Sequence, residues 1–435
     1  MDLQTSVLVT DLYQLTMLQG YFEYGMEETA VFEFFVRDLP DNRNFLLAAG
    51  LEQALTFLEH LRFTEEELDF LEGTQRFTPA FLDHLKDFRF TGDVHAMPEG
   101  TAFFPNEPIL RVTAPLPQAQ LVESRLINLL HFETLIASKA VRCVLAAPGK
   151  LMVDFGLRRA HGAEAGLLAA RASYLAGMQG TSTVIAQPLF GIPIFGTMAH
   201  SFIEAHGDET EAFEHFAHAQ PGNVVLLIDT YDTEEGARKV VALAPRLKAQ
   251  GIPIKGVRID SGDLAEHAKK VRRILDEGGL RETIIFASGN LDEYALKALM
   301  EAKAPIDGFG VGTRMDTSAD APYLDSAYKL QEYAGKPRRK RSEGKATWPG
   351  RKQVYRHYRG GYMERDTLTL EGDPQEGEPL IEKVMEKGRR LSPPPSLDAI
   401  RERVREQLER LPPPLKAIEK QPPYPVHISK ALQDL

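Results

Sequence analysis

Apolar positions along this chain follow two periods, and the period changes from one stretch to the next. Through about residue 135 the pattern is mixed. Residues 11–18 carry apolar side chains at helical spacing, with Thr10 placed to cap them. Residues 29–37 are aromatic and β-branched, which predicts a strand. Residues 50–61 read as a helix, 92–101 and 108–113 as antiparallel strands parted by turn residues, and 120–144 as a long helix.

From about 136 to 330, short apolar runs alternate with amphipathic segments. Strands are expected at 151–155, 183–186, 193–195, 224–228, 255–259, 283–287 and 307–311, and helices at 234–249 and 264–277. Such alternation predicts a parallel sheet, here an α/β sheet closed or partly closed into a barrel. After residue 331 the composition shifts. Lys336-Pro337-Arg338-Arg339-Lys340-Arg341 is strongly basic, and Pro393-Pro394-Pro395 and Pro412-Pro413-Pro414 flank a charged amphipathic helix at 397–411. Three domains are therefore expected: an N-terminal α/β domain at 1–135, a catalytic α/β barrel at 136–330, and a C-terminal extension at 331–435 that packs on the barrel or a partner. No internal repeat is visible.

Composition narrows the class. A chain of 435 residues is long enough for two or three domains. A net charge of -11 argues against nucleic-acid binding by the protein as a whole, so an anionic substrate would need a local basic site. Cys143 is the single cysteine, which excludes an intrachain disulfide and a cysteine-rich zinc site, and no metal site is expected. The chain lacks an apolar stretch long enough to span a bilayer, and Met1-Asp2-Leu3-Gln4 does not resemble a signal peptide, so a cytoplasmic location is expected, with no membrane contact.

The candidate chemistry sits where the apolar runs stop. Gly310-Val311-Gly312-Thr313 follows a strand, and glycines let backbone N–H groups approach a phosphate; a plain tight turn is the competing reading. Arg258-Ile259-Asp260-Ser261-Gly262-Asp263 puts a guanidinium and a carboxylate on one strand face, which suits a phosphorylated sugar. The alternative is a structural ion pair, with Ser261 or Asp263 capping the next helix. His200 follows another strand end beside Ser201, while His206, His215 and His218 read as packing or surface residues. Asp154-Phe155-Gly156-Leu157-Arg158-Arg159 offers an aromatic face and guanidinium groups able to stack on a flat ring and fork onto its carboxylate; a buried Phe beside solvated arginines would look the same.

In order along the chain, these segments resemble the nicotinate phosphoribosyltransferase family. The resemblance is carried by Thr10-Asp11-Leu12-Tyr13-Gln14-Leu15-Thr16-Met17, Asp154-Phe155-Gly156-Leu157-Arg158-Arg159-Ala160, Gly180-Thr181-Ser182-Thr183-Val184 and Gly196-Thr197-Met198-Ala199-His200-Ser201. It continues through Arg258-Ile259-Asp260-Ser261-Gly262-Asp263, Gly308-Phe309-Gly310-Val311-Gly312-Thr313 and Ser342-Glu343-Gly344-Lys345-Ala346-Thr347-Trp348-Pro349-Gly350-Arg351-Lys352-Gln353.

The resemblance implies the irregular α/β barrel of type II phosphoribosyltransferases. It implies nicotinate displacing pyrophosphate from phosphoribosyl pyrophosphate (PRPP), with Mg²⁺ accompanying the phosphates and ATP as co-substrate, in NAD synthesis. It implies transient phosphorylation of His200, catalytic roles for Asp260 on the ribose and Arg258 on phosphate, and a homodimer with shared sites. Phe155 would stack on the pyridine ring opposite Tyr13 of a neighbouring subunit, and Arg158 would pair with the carboxylate. Ser261, Gly262, Ser288, Gly289, Gly310, Gly312 and Thr313 would hold the phosphoribosyl group, with Arg37, Lys139 and Arg142 toward the pyrophosphate. Ser182 stands where nicotinamide-using relatives carry an aspartate, which favours the acid over the amide. The alternatives are a nicotinamide phosphoribosyltransferase and a phosphate-binding barrel isomerase or aldolase, for which Lys255 would be the candidate amine.

Overall fold

The structure, a computed structural model, describes residues 5–340 and 347–435. Met1-Asp2-Leu3-Gln4, Arg341 of the basic run and Ser342-Glu343-Gly344-Lys345-Ala346 lie outside the described residues. The chain forms two compact units, Met1–Ser138 with Ala321–Leu435, and Lys139–Asp320.

The first unit joins both ends of the chain. Its antiparallel sheet of seven strands runs in the order Lys336–Pro337, Ser326–Tyr333, Thr29–Val36, Pro108–Pro115, Asp93–Ala96, Glu382–Glu386 and Arg389–Arg390. Thr29–Val36 is buried at every residue after the first, so its one acid, Glu33, needs an internal partner; Lys352 supplies it at 2.6 Å. A second sheet is built on the hairpin Lys352–Arg359 and Tyr362–Leu370. There Arg356 and Asp366, both fully buried, pair at 2.6 Å, and the Tyr424 hydroxyl donates to Asp366. The expected division near residue 331 thus falls inside the strand Ser326–Tyr333, whose partner, Thr29–Val36, lies near the start of the chain.

The second unit carries the parallel sheet. Its strands are numbered here in chain order: β1 (Leu151–Asp154), β2 (Gly180–Thr181), β3 (Val225–Leu227), β4 (Gly256–Ile259), β5 (Ile284–Ala287) and β6 (Gly308–Val311). Spatially they run β2-β1-β6-β5-β4-β3, all parallel. An isolated parallel bridge from Thr181 to Ile194 extends the arc beyond β2. On its other side this segment meets the approach to β3, where the Asn223 amide donates to the Gly196 carbonyl at 2.9 Å. The arc is thereby drawn into an irregular α/β barrel.

Two expected strands differ. The segment 183–186 turns away after β2, because the Thr183 N–H donates to its neighbour Thr181 Oγ1 at 2.9 Å rather than to a ladder, and a short helix Ala186–Phe190 follows. The segment 193–195 reduces to the Ile194 bridge; Pro193 has no N–H to give. After β3, β4 and β5 a sharply started helix follows. Asp232, Asp263 and Asp292 accept N–H groups at the starts of Thr233–Ala249, Leu264–Glu277 and Glu293–Glu301. The loops after β3, β4 and β5 are therefore short, and their residues gather at one end of the sheet.

Candidate active site

Sheet order makes neighbours of segments that are far apart in sequence. β6 lies between β1 and β5, so the turn after β1 sits against the loop after β6. The Phe155 N–H donates to the Val311 carbonyl at 2.8 Å, and the Phe155 ring leans on Phe286 with centroids 5.7 Å apart. A Cβ on Gly310 would meet the Phe155 ring at 2.4 Å, and one on Gly312 would meet the Phe155 carbonyl at 2.6 Å. These two glycines are required for close approach. Arg158 follows on a short 3-10 turn, Leu157–Arg159, and is exposed. The Ser182 N–H donates to the Asp154 carbonyl at 2.8 Å, which seats Ser182 beside the same turn.

His200 opens the short helix His200–Glu204. Its Nδ1 is 3.1 Å from Thr230 Oγ1, and its Nε2 is 4.0 Å from Asp260 Oδ2. Asp260 also accepts a short hydrogen bond from Ser288. Arg258 donates to Thr197 Oγ1 at 2.5 Å. Burial lowers the pKa of its guanidinium, against the pull of Asp260 and Asp229, and the positive charge of Arg158 acts in the same direction as burial. Two guanidinium groups therefore lie within electrostatic range of one another, an arrangement that suits an anion. Gly289, at φ +100°, brings the loop after β5 so near β4 that a Cβ there would lie 1.9 Å from the Asp260 carbonyl oxygen.

The acids of the β4 motif separate by role. Asp263 is the helix cap, whereas Asp260 faces His200 and Ser288. Ser261 donates to Asp229 at 2.6 Å, and the Asp260 N–H donates to the same oxygen at 2.8 Å. Asp229 was not among the residues singled out from the sequence. Its signal was available: Asp229-Thr230-Tyr231-Asp232 ends the β3 run just as the other motifs end theirs. Gly262, at φ +76°, completes the turn into the helix, and Thr313 begins the short helix Thr313–Asp316.

Lys139 and Arg142, expected to face pyrophosphate, are placed otherwise. Lys139 is buried against Glu293 at 2.5 Å and Asp320 at 2.7 Å, and Arg142 reaches Glu293 at 2.9 Å. A buried cation must be neutralised, and these carboxylates do so internally. Burial, reinforced by Glu293, pushes the nearby Cys143 thiol up to about 12, so it is a packing residue rather than a nucleophile. Tyr13 and Arg37 belong to the other unit. Tyr13 is half exposed on Leu12–Glu23. Arg37 pairs with Asp325 at 2.8 Å and lines a groove of about 370 Å³ with Lys329, Arg338, Arg339 and Lys340. Among the described residues, no helix is long and apolar enough to cross a membrane.

A parallel barrel with polar and charged groups gathered at its strand ends is the layout of an α/β-barrel enzyme. Comparison with known proteins makes that class specific. Models of the nicotinate phosphoribosyltransferase N-terminal domain, the nicotinate phosphoribosyltransferase (NAPRTase) family and the C-terminal domain match residues 8–131, 151–339 and 371–435. Nicotinate phosphoribosyltransferase pncB2 of Mycobacterium tuberculosis is 49% identical, covering 97% of this chain and 91% of the relative. The Bacillus subtilis nicotinate phosphoribosyltransferase is 36% identical over 97% of this chain and 93% of its own. Crystallised human nicotinic acid phosphoribosyltransferase superposes with a TM-score of 0.88 at 30% identity, covering 98% of each chain. The chain belongs to the nicotinate phosphoribosyltransferase family. This favours the nicotinate reading over the nicotinamide, isomerase and aldolase alternatives.

Proposed function

We propose that the chain transfers a phosphoribosyl group from PRPP to nicotinate, giving nicotinate mononucleotide and pyrophosphate, the entry of nicotinate into NAD synthesis. The observation that carries the chemistry is the approach of His200, at the start of its short helix, to Asp260 in the loop after β4, with Arg258 two residues before Asp260 on β4. The ring nitrogen of nicotinate forms its bond to C1 of the ribose as the bond from C1 to the pyrophosphate oxygen breaks. The ribose gains oxocarbenium character in between, so fixed position and fixed charge supply most of the rate.

Arg158 forks onto the nicotinate carboxylate, and the ring lies between Phe155 and Tyr13 of the partner subunit in a homodimer with shared sites. Ser182 leaves room for the carboxylate without repelling it. The loops at Ser288-Gly289 and Gly310-Val311-Gly312-Thr313, with Ser261 and Gly262, hold the phosphoribosyl group. Mg²⁺ arrives with the phosphates, and the carboxylate oxygens of Asp260 and Asp229 are the hard donors such an ion prefers. The basic groove at Arg37, Arg338, Arg339 and Lys340, presented by the partner subunit, suits the pyrophosphate or the phosphates of ATP.

ATP phosphorylates His200, releasing ADP, and water later removes the phosphoryl group as phosphate. Nε2 is the acceptor this geometry favours, since Nδ1 already faces Thr230. The setting is the cytoplasm, consistent with a single, buried cysteine. The test is product formation from labelled nicotinate, PRPP and Mg²⁺, with and without ATP, and with nicotinamide in parallel. Product from nicotinate that rises with ATP is expected, and His200→Ala abolishes the rise while leaving slow transfer. Product from nicotinamide alone overturns the substrate assignment, and ATP stimulation that survives in His200→Ala overturns the histidine cycle.

A further inference from the structure

Behind the base-binding turn two buried acids meet, and among the described residues neither forms an ion pair. Asp154 ends β1 and is fully buried. Both of its oxygens already accept hydrogen bonds, Oδ1 from the Gly156 N–H at 2.7 Å and Oδ2 from the Thr181 hydroxyl at 2.6 Å. Asp316 ends the short helix after the Gly310–Thr313 loop and is 1% exposed. Its carboxyl lies flat against Gly156, where a Cβ would come within 2.1 Å of it. Among the described residues neither Asp316 oxygen has an N–H or O–H donor. Gly156 brings the two carboxyls together, since its N–H donates to Asp154 while its α-carbon faces Asp316.

Two carboxylates facing each other offer acceptors only. A proton on one of them turns the contact into a hydrogen bond and removes a pair of buried like charges. Asp154 has its oxygens committed to donors, so the proton belongs on Asp316. The electrostatics agree in direction. Burial, then the charge of Asp154, raises Asp316 well above the ordinary carboxyl range. Asp154 is also raised by burial, but the Thr181 and Gly156 hydrogen bonds pull it back.

We propose that Asp154 and Asp316 share a single proton and act as positioning residues that lock the Phe155–Arg158 turn to the phosphate loop. Asp154 fixes the turn through the Gly156 N–H, and Asp316 carries the helix that follows Thr313. The shared proton ties the two together, so the base clamp and the phosphate cradle keep one spacing. The functional half of this inference rests on the roles assigned above to Phe155, Arg158 and the Gly310–Thr313 loop; the proton itself does not.

Four substitutions and three readouts test it. Infrared difference spectra of wild type against Asp316→Asn at neutral pH should contain the C=O band of a protonated carboxyl; its absence overturns the shared proton whatever the enzyme's substrate. In kinetics, Asp316→Asn keeps a donor toward Asp154 and should hold kcat and the nicotinate KM within about threefold. Asp154→Asn turns an NH₂ toward existing donors and should raise the nicotinate KM at least about tenfold. Asp316→Ala should resemble Asp154→Asn, and Asp154→Glu, which keeps the charge but not the reach, should fall between. Equal effects of the two Asn variants would mean that the pair only fills space, and would overturn the positioning role. The sign of the stability effect is also set. Between the unfolded carboxyl pKa and the raised folded one, the native state holds one more proton, so stability falls as pH rises across that window. Asp316→Asn should flatten this slope in Tm against pH, and an unchanged slope counts against the proton.

Discussion

At the residue scale, one motif often admits two readings, and neighbours from elsewhere in the chain choose between them. Asp260 and Asp263 are three positions apart in sequence. Asp263 meets the backbone of its own helix, and Asp260 meets His200 from the start of a short helix and Ser288 from the end of β5. Arg158 shows the opposite situation. It is exposed, with a second guanidinium, Arg258, near enough to feel its charge. A carboxylate paired with Arg158 loses its charged partner when that side chain is truncated. Arg158→Ala is therefore expected to raise the nicotinate KM by about 10- to 100-fold, with a much smaller effect on the KM for PRPP. Steady-state kinetics with each substrate varied in turn checks this; equal rises in both KM values would remove Arg158 from the carboxylate.

At the scale of elements, burial decided what charge alone could not. Lys139 and Arg142 lie on the helix Glu123–Ala146, and in sequence they look like cations available to a phosphate. Their counter-ion, Glu293, stands at the start of a helix five strands further along the chain, a pairing no local pattern reports. Removing that one charge takes from two buried cations the carboxylate they share, although Lys139 keeps Asp320. Glu293→Gln is expected to destabilise the second unit by about 3–5 kcal/mol, read as an earlier unfolding transition, with little change in either KM of the surviving enzyme. A variant as stable as wild type but with a raised KM for PRPP would return Lys139 and Arg142 to the site.

At the scale of the whole molecule, the chain leaves its first unit, builds the barrel, and returns to complete the sheet it began. Tyr13 and Arg37 stay in that first unit, while Phe155, Arg158, His200 and Asp260 lie in the second. If the active site is shared between subunits, mixing Tyr13→Ala protein with His200→Ala protein should restore activity. The expected recovery is about a quarter of the wild-type value, the statistical share of intact sites in randomly paired dimers. No recovery after subunit exchange would assign each site to one chain.

Local periodicity was enough to read the α/β alternation, the helix Leu264–Glu277 to the residue, and the strand ends where the candidate chemistry sits, because side-chain direction repeats over a few residues. It was also enough to bring out the ordered set of motifs on which the family likeness rests. It failed where short-range hydrogen bonding competes with a ladder, as at 183–186, and where a proline leaves the ladder without a donor, as at 193–195. The partner of Ser326–Tyr333, the neutralisation of Lys139 by Glu293, the place of Asp229 beside Asp260, and the meeting of Asp154 with Asp316 all depended on the tertiary structure. Each is a contact between residues remote in sequence, and the protonation and burial that give those residues their chemistry exist only once the chain has excluded water around them.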